Sequence, residues 1–385
     1  MPKSISLFVH DLGTNPVGRV LPFVNALREI GYDVQLLGFL IGDDREIYAP
    51  YRKEINPVVI QTSRRTTELF PNIRRLAHAA SGDMVYAFKP LVTTFAPAFY
   101  AARIVQNRPL LLDVEDEQVY LNQDWGPRTA WRKLCRNWVW GASWKYTRFL
   151  QLFRWSVDAV TVVGTELQKR YGGTIIRHGP KGGQFCPSRY SGKEDELRER
   201  WGLPQNRKLA VFIGTPRPHK GIKVLVSALL YEKCEDWDFV LVGPNDNEAA
   251  SYARKKLPKR THLLGPRPYK QAPEFLSIAD AIPIPQKEAP LAEAQVPAKL
   301  LDAMAMARPV VASRIGDLPE ILGDEERGWL VDPDSPAALA NALQKVEDNP
   351  DEAKRRGENA RKWYEENAST TAIKGQLRKI LETVT

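Results

Sequence analysis

Arg217, His219 and Lys220 stand close together in the stretch FIGTPRPHKGIKVL (212–225). An apolar run ends at Gly214, the three basic side chains follow, and Gly221 opens the next apolar segment. Cations that converge on a diphosphate neutralise it as a leaving group. Arginine forks onto two oxygens, and lysine acts as a point charge. A solvated basic loop has the same composition, but the strand end, the glycines and the cations together favour an anion clamp.

A second group lies at 297–320, PAKLLDAMAMARPVVASRIGDLPE. Pro297 suits a helix start, because its missing N–H is unpaired there anyway. Lys299 and Asp302 then share one helical face, three residues apart. Leu300, Leu301, Met304 and Ala305 form the opposite, buried stripe. Pro309 ends the helix, and PVVAS begins a buried strand. A carboxylate here can grip a sugar's hydroxyls. It can also offset the helix dipole and pair with Lys299, which is the local expectation.

Asp113, Glu115, Asp116 and Glu117 are four acids in five residues after PLLLDV. At a strand's carboxyl end they can hold a metal or supply a base. An exposed acidic turn looks the same. No histidine or second acidic cluster has matching spacing, so no metal is expected. Gly13 and Gly18 flank the first βα turn; the pattern is not G-x-G-x-x-G, but it still lets backbone N–H groups approach an anion. His10 and His178 fall at presumed strand ends and fit either a ligand contact or a structural role.

The elements that carry these residues alternate from end to end. ISLFV (5–9), DVQLLGF (33–39), VVIQ (58–61), MVYAF (84–88), PLLLDV (109–114) and AVTVV (159–163) read as strands. Helices are expected over 17–31, 66–81, 92–106 and 128–155. After the basic passage RHGPKGGQFCPSRYSGK (177–193) the rhythm restarts with LAVFI (209–213), FVLVG (239–243), AIPIP (281–285), PVVAS (309–313) and WLV (329–331). The pattern predicts an α/β fold: two Rossmann-like domains facing across a cleft, with ligands beyond the carboxyl ends of the strands. The expected bounds are a first domain at 1–180, a linker at 181–206, a second domain at 207–367, and a C-terminal helix at 368–385 packing back on the first.

At 385 residues the chain has room for two ordinary domains, and 43% hydrophobic with 26% charged residues fits a globular protein. The net charge of +9 points to an anionic partner: nucleic acid, an acidic lipid surface or a phosphorylated substrate. Cys135, Cys186 and Cys234 are dispersed and form no metal or redox motif, as expected in a reducing compartment. No signal segment and no membrane-spanning run is read. Residues 125–155 hold six of the ten Trp and seven Arg/Lys with no acid. That composition fits an anionic membrane surface, where each basic residue contributes about 1 kcal/mol. It equally fits rings that fill a core between sheet and helix. No nucleic-acid module accompanies the charge, so no nucleic-acid partner is expected.

Taken together, these stretches resemble the retaining GT-B glycosyltransferases of family four. FIGTPRPHKGIKVLVSAL is similar to that family's donor-phosphate loop. VPAKLLDAMAMARPVVASRIGDLPEIL is similar to its nucleotide-sugar block. HLLGPRPYKQAPEFLSIADAIPIP, GWLVDPDSPAALANALQKV and IIRHGPKGGQF match the flanking pieces in order. The resemblance implies a GT-B fold, a nucleotide-sugar bound mainly by the second domain, and an acceptor bound mainly by the first. By position, Lys220 and Arg217 hold the diphosphate and act in catalysis. Asp302 takes the ribose, and Gly18, Gly214, Glu293, Val296 and Lys299 complete the donor site. Asp116, with Glu115 beside it, is the acceptor-side polar group. The usual Glu-x7-Glu pair falls on Ala294 and Asp302, which leaves Glu288 and Glu293 as alternatives for the first acid. The glycine usual after the Ala-Met-Ala helix is replaced by Ala307-Arg308.

The expected activity is sugar transfer from a nucleoside diphosphate sugar to an acceptor hydroxyl with retention, without a metal or other cofactor. The acceptor is expected to be a lipid-linked saccharide or surface polysaccharide, reached in the cytoplasm at the inner face of the membrane. A nucleotide-sugar epimerase and a catalytically weak sugar-binding or membrane-associated scaffold share the same features.

Overall fold

The computed structural model describes residues 4–14, 17–49, 52, 54–116, 148–149, 152–180 and 183–384. The chain forms two compact units, Met1–Arg177 with Thr370–Thr385, and His178–Ser369.

In the first unit, β1 (Ser4–Asp11), β2 (Asp33–Ile41), β3 (Val58–Thr62), β4 (Met84–Phe88), β5 (Leu110–Val114), β6 (Ala159–Val162) and β7 (Thr174–Ile175) form one sheet. Its order is β3-β2-β1-β4-β5-β6-β7, and every neighbouring pair is parallel. Ile5 pairs with Val34 on one side and with Met84 on the other. Every residue of β4 and β5 is buried, as a parallel sheet covered on both faces requires. The helix Val17–Glu29 buries Val20, Phe23, Val24 and Leu27, a 3.6-residue stripe, on this sheet. The segment expected as one helix over 92–106 starts at Phe95 and winds as a π-helix from Tyr100 to Val105. The helix expected over 128–155 lies mostly outside the described residues; Leu152–Ser156 form a 3-10 stretch.

The last helix, Thr370–Val384, belongs to this unit. Ile373, Leu377, Ile380 and Leu381 form its buried face and share a core with Val20, Phe23 and Leu27. Lys374 pairs with Glu29 at 3.2 Å on the rim.

In the second unit, β8 (Lys208–Ile213), β9 (Trp237–Val242) and β10 (Thr261–Gly265) form a parallel sheet of order β10-β9-β8. β11 (Ile282–Ile284), β12 (Val310–Ser313) and β13 (Trp329–Val331) form another. A single parallel bridge, Ala210 to Ala281, joins β8 to the start of β11. The combined order β10-β9-β8-β11-β12-β13 repeats the logic of the first unit. In each, the first strand is central and the winding direction reverses between the first strand and the fourth. That reversal opens a crevice at the carboxyl ends, between β1 and β4 and between β8 and β11.

The span expected as a linker, 181–206, lies within the second unit. Its helix Glu194–Arg200 is tied there by Arg198, which donates to Ile278 O at 3.0 Å and to Asp280 Oδ2 at 2.8 Å. Trp201 packs on Phe275 with ring centroids 4.7 Å apart. The division between units falls at 177/178 instead.

Candidate functional site

β8 runs out at Ile213, and Gly214 turns the chain at φ 115°. Pro218–Lys220 make one 3-10 turn, and Gly221 at φ 69° hands over to the helix Ile222–Ala228. A Cβ on Gly221 would stand 1.7 Å from the carbonyl oxygen of Pro285, just past β11. The Lys287 N–H donates to His219 O at 2.9 Å, so the loops after β8 and β11 are in direct contact. The clamp residues therefore sit at the reversal crevice of the second unit, where an α/β sheet binds ligands.

Lys220 Nζ donates to Gln295 Oε1 at 2.6 Å. The Lys299 Nζ lies 3.2 Å from the centroid of the Phe212 ring, near the end of β8. It is buried and has no hydrogen-bond partner. Burial, and then the like charge of Lys220, push the Lys299 amine well below the ordinary lysine value. His219 is pushed down to about 4 by burial and by the neighbouring Lys220 and Arg217. The Arg217 side chain is exposed. Lys220, Lys299 and Arg217 are thus brought to one crevice, and such a set of basic side chains suits an anion.

Asp302 does not pair with Lys299. Its Oδ1 accepts from the Tyr269 hydroxyl at 2.6 Å, and the Tyr269 ring packs on Phe185 at 5.4 Å. Burial pushes the Asp302 carboxyl up to about 7, with the Tyr269 bond pulling the other way. The helical pairing rule placed both side chains correctly on one face, but burial gave each a tertiary partner. Val296 is buried beside them in sequence, while the side chains of Glu288 and Glu293 are exposed. Gly316, after β12, packs so that a Cβ would fall 2.5 Å from Glu293 O.

In the first unit the acid run divides by role. Asp113 is fully buried and takes both Arg19 Nε and Arg19 Nη2 at 2.7 Å, with Thr161 Oγ1 donating at 2.6 Å. It is an internal fastening. Glu115 and Asp116 instead share Lys89, whose Nζ lies 3.1 Å and 3.2 Å from them. Burial acts to lower the Lys89 amine, but the two carboxylates outweigh it and hold it above the usual lysine range. Lys89 is itself in the left-handed region, at φ 77°. His10, at the end of β1, contacts Thr93 Oγ1 through Nδ1 at 2.6 Å, and burial with Lys89 and Arg64 pushes it down to about 3. These groups line the carboxyl ends of β1, β4 and β5. Glu117 lies outside the described residues. Gly18 is exposed at the second position of the helix Val17–Glu29, and His178 is half-buried at the start of the second unit. Among the described residues no group of three His, Cys, Asp or Glu side chains is arranged to hold a metal ion.

The sequence reading missed Tyr269, Gln295, Lys89 and Gln286. Gln286 directly follows β11 and Pro285. It is fully buried, and neither its Oε1 nor its Nε2 has a partner. An amide left so in a protein interior costs about 1–3 kcal/mol unless a ligand or water meets it. Its only signal in the sequence is a polar side chain immediately after the apolar run AIPIP.

Residues 193–363 match the model of the family described as Glycosyl transferases group 1. The matched stretch contains the whole clamp and the helix of Lys299 and Asp302. The D-inositol 3-phosphate glycosyltransferase of Corynebacterium glutamicum is 30% identical over 44% of this chain and 43% of its own length. The chain spans about half the length of the curated relatives it matches or less. Among solved structures, a glycosyltransferase from Rickettsia africae matches with a TM-score of 0.76 and 18% identity, covering 100% of this chain and 99% of that one. Anabaena HepE, solved in complex with UDP and glucose, matches with a TM-score of 0.70 and 16% identity over 99% and 100% of the two chains. The fold is therefore GT-B, with a Rossmann-like sheet in each unit.

Proposed function

We propose that this chain is a glycosyltransferase of the retaining type, which moves a sugar from a nucleoside diphosphate sugar to an acceptor hydroxyl. The observation that carries the reading is the gathering of three basic side chains, Lys220, Lys299 and Arg217, at the reversal crevice of the second unit. A diphosphate supplies two negative charges there. As the sugar leaves, charge grows on the departing phosphate oxygen, and preorganised cations stabilise that growth better than water does. The Asp302 carboxylate accepts from the ribose, and Gln286 meets a hydroxyl of the donor. Glu115 and Asp116, held by Lys89, receive the acceptor hydroxyl in the first unit.

The solved Anabaena neighbour holds UDP, which makes UDP-sugars the first donors to test. Purified protein should bind and slowly hydrolyse one of a panel of UDP-, GDP- and ADP-sugars. Absence of both binding and hydrolysis across the panel would overturn the reading.

The acceptor side of the proposal is a lipid-linked saccharide or growing surface polysaccharide, met by a cytoplasmic enzyme at an anionic membrane. Phe149, Leu152 and Trp155 support it, since they are 57%, 66% and 79% exposed beside Arg148 and Arg154. Aromatic and basic side chains so mixed favour a headgroup boundary. Among the described residues no helix is long and apolar enough to cross a membrane. Flotation with anionic vesicles should carry the protein upward, and Trp155→Ala with Phe149→Ala should weaken that. Equal flotation with neutral and anionic vesicles would remove the membrane from the proposal.

A further inference from the structure

Buried ammonium groups are almost always paired, and Lys299 is not. The charged group that acts on it most is Lys220, which has the same sign. His219 and Arg217 stand on the same turn as Lys220, between β8 and the helix Ile222–Ala228. On its own helix the nearest carboxylate in sequence is Asp302, which is engaged by Tyr269. Gln295, in the loop before that helix, is engaged by Lys220. What Lys299 does touch is the Phe212 ring.

Two effects compete over its charge. A ring face favours a cation by about 0.5–2 kcal/mol. Burial of an unpartnered ammonium costs several kcal/mol, and the nearby Lys220 adds to that. Burial wins. An uncharged amine keeps the ring contact through its N–H bonds and avoids the repulsion.

We propose that Lys299 rests on Phe212 as the uncharged amine and takes a proton from solvent when a donor's diphosphate enters, so that donor binding consumes a hydrogen ion. The inference rests on the reading of this crevice as the donor site. The diphosphate is the counter-ion that Lys299 lacks, and an opposite charge at short range favours the protonated form. The third cation is thus present only while there is a diphosphate to hold. In the free protein the lysine has a lower proton affinity than in the complex. Between those two values affinity for donor falls about tenfold for each unit rise in pH. Below the lower value the lysine is charged in both states, and affinity is flat.

Calorimetric titration with UDP-, GDP- and ADP-glucose, in buffers of different ionisation heat, reads the proton count directly. At about pH 8.5 Asp302 is ionised with or without donor, and the donor's diphosphate does not titrate. Wild-type protein should take up about one proton per donor bound. Lys299→Arg, whose charge is permanent, and Lys299→Met, which has none, should take up none. A wild-type count of zero with measurable binding overturns the inference and leaves the donor reading standing. So does an unchanged count in the two variants. If no donor binds the wild type, the donor reading itself fails.

Discussion

The Tyr269 hydroxyl points its proton at Asp302 Oδ1 across 2.6 Å, joining the turn after β10 to the helix Ala298–Ala305. This bond favours the ionised form of a carboxyl that burial has raised to about 7. The unfolded chain ionises the same group near the ordinary aspartate value. The folded state therefore retains a proton that the unfolded state has lost, and stability falls as pH rises from about 4 to about 7. Above that range both states are ionised and the loss is complete.

Asp302→Asn removes this penalty. Thermal unfolding at pH 8 should show the variant more stable than wild type, by on the order of 2–4 kcal/mol. At pH 4 the two should melt together. A wild-type advantage at pH 8 would show that Asp302 is stabilising where it lies. Donor affinity should fall in the same variant, because the carboxylate is kept for binding at the expense of stability.

Lys220 is the directly aimed cation of the clamp, and Gln295 holds it at 2.6 Å. Lys220→Ala should weaken nucleoside diphosphate binding roughly 10- to 100-fold, the range for a charge-assisted hydrogen bond. Gln295→Leu should weaken it less, since the charge stays and only its aim is lost. Equal affinities in wild type and Lys220→Ala would remove the clamp.

Gly221 combines a φ of 69° with the Pro285 carbonyl at 1.7 Å from where a Cβ would be. Gly221→Ala must push apart the loops after β8 and β11. A loss of about 3 kcal/mol or more is expected, beyond the roughly 1 kcal/mol for φ alone. Denaturant titration measures it.

Ala307 follows the helix Ala298–Ala305 at φ 53°, a left-handed position that glycine usually takes. Ala307→Gly should gain about 0.5–1 kcal/mol, the steric relief less the entropy of the more flexible residue. Activity should be unaltered, and a lower melting temperature would contradict the assignment.

Asp113 and Asp116 lie three residues apart and should behave oppositely. Asp113→Ala strands the buried Arg19 guanidinium and should cost about 3–5 kcal/mol. Asp116→Asn leaves Lys89 its pairing with Glu115, so it should cost less stability than Asp113→Ala while transfer to acceptor falls. Melting curves and a transfer assay on the two variants separate fastening from function.

The sheets were legible because parallel strands buried on both faces are written as unbroken apolar runs, of which MVYAF and WLV are examples with matching ends. β7 was not, since Thr174–Ile175 is two residues long and takes its place from pairing with β6 alone. The clamp was legible because its residues are contiguous. The partners of its members were not. Arg19 meets Asp113 across 94 positions and Tyr269 meets Asp302 across 33, and no local periodicity carries such pairs. Lys299 shows the same limit from the other side. A local rule gave it a partner, and the interior placed it on Phe212 instead.

The helix Thr370–Val384 gives the molecule an order of assembly. Synthesis runs from the first residue, yet the core around Val20, Phe23 and Leu27 is closed by Ile373, Leu377, Ile380 and Leu381. Each such side chain contributes about 1.5–3 kcal/mol when buried. A nascent chain that has finished 1–177 thus waits with an apolar stripe uncovered while the whole second unit is made and folds. The core of the first unit therefore gains its last side chains only after the second unit has been synthesised. During that interval the waiting half depends on whatever shields the stripe, and damage confined to 370–384 is felt in the core around Val20 and Phe23.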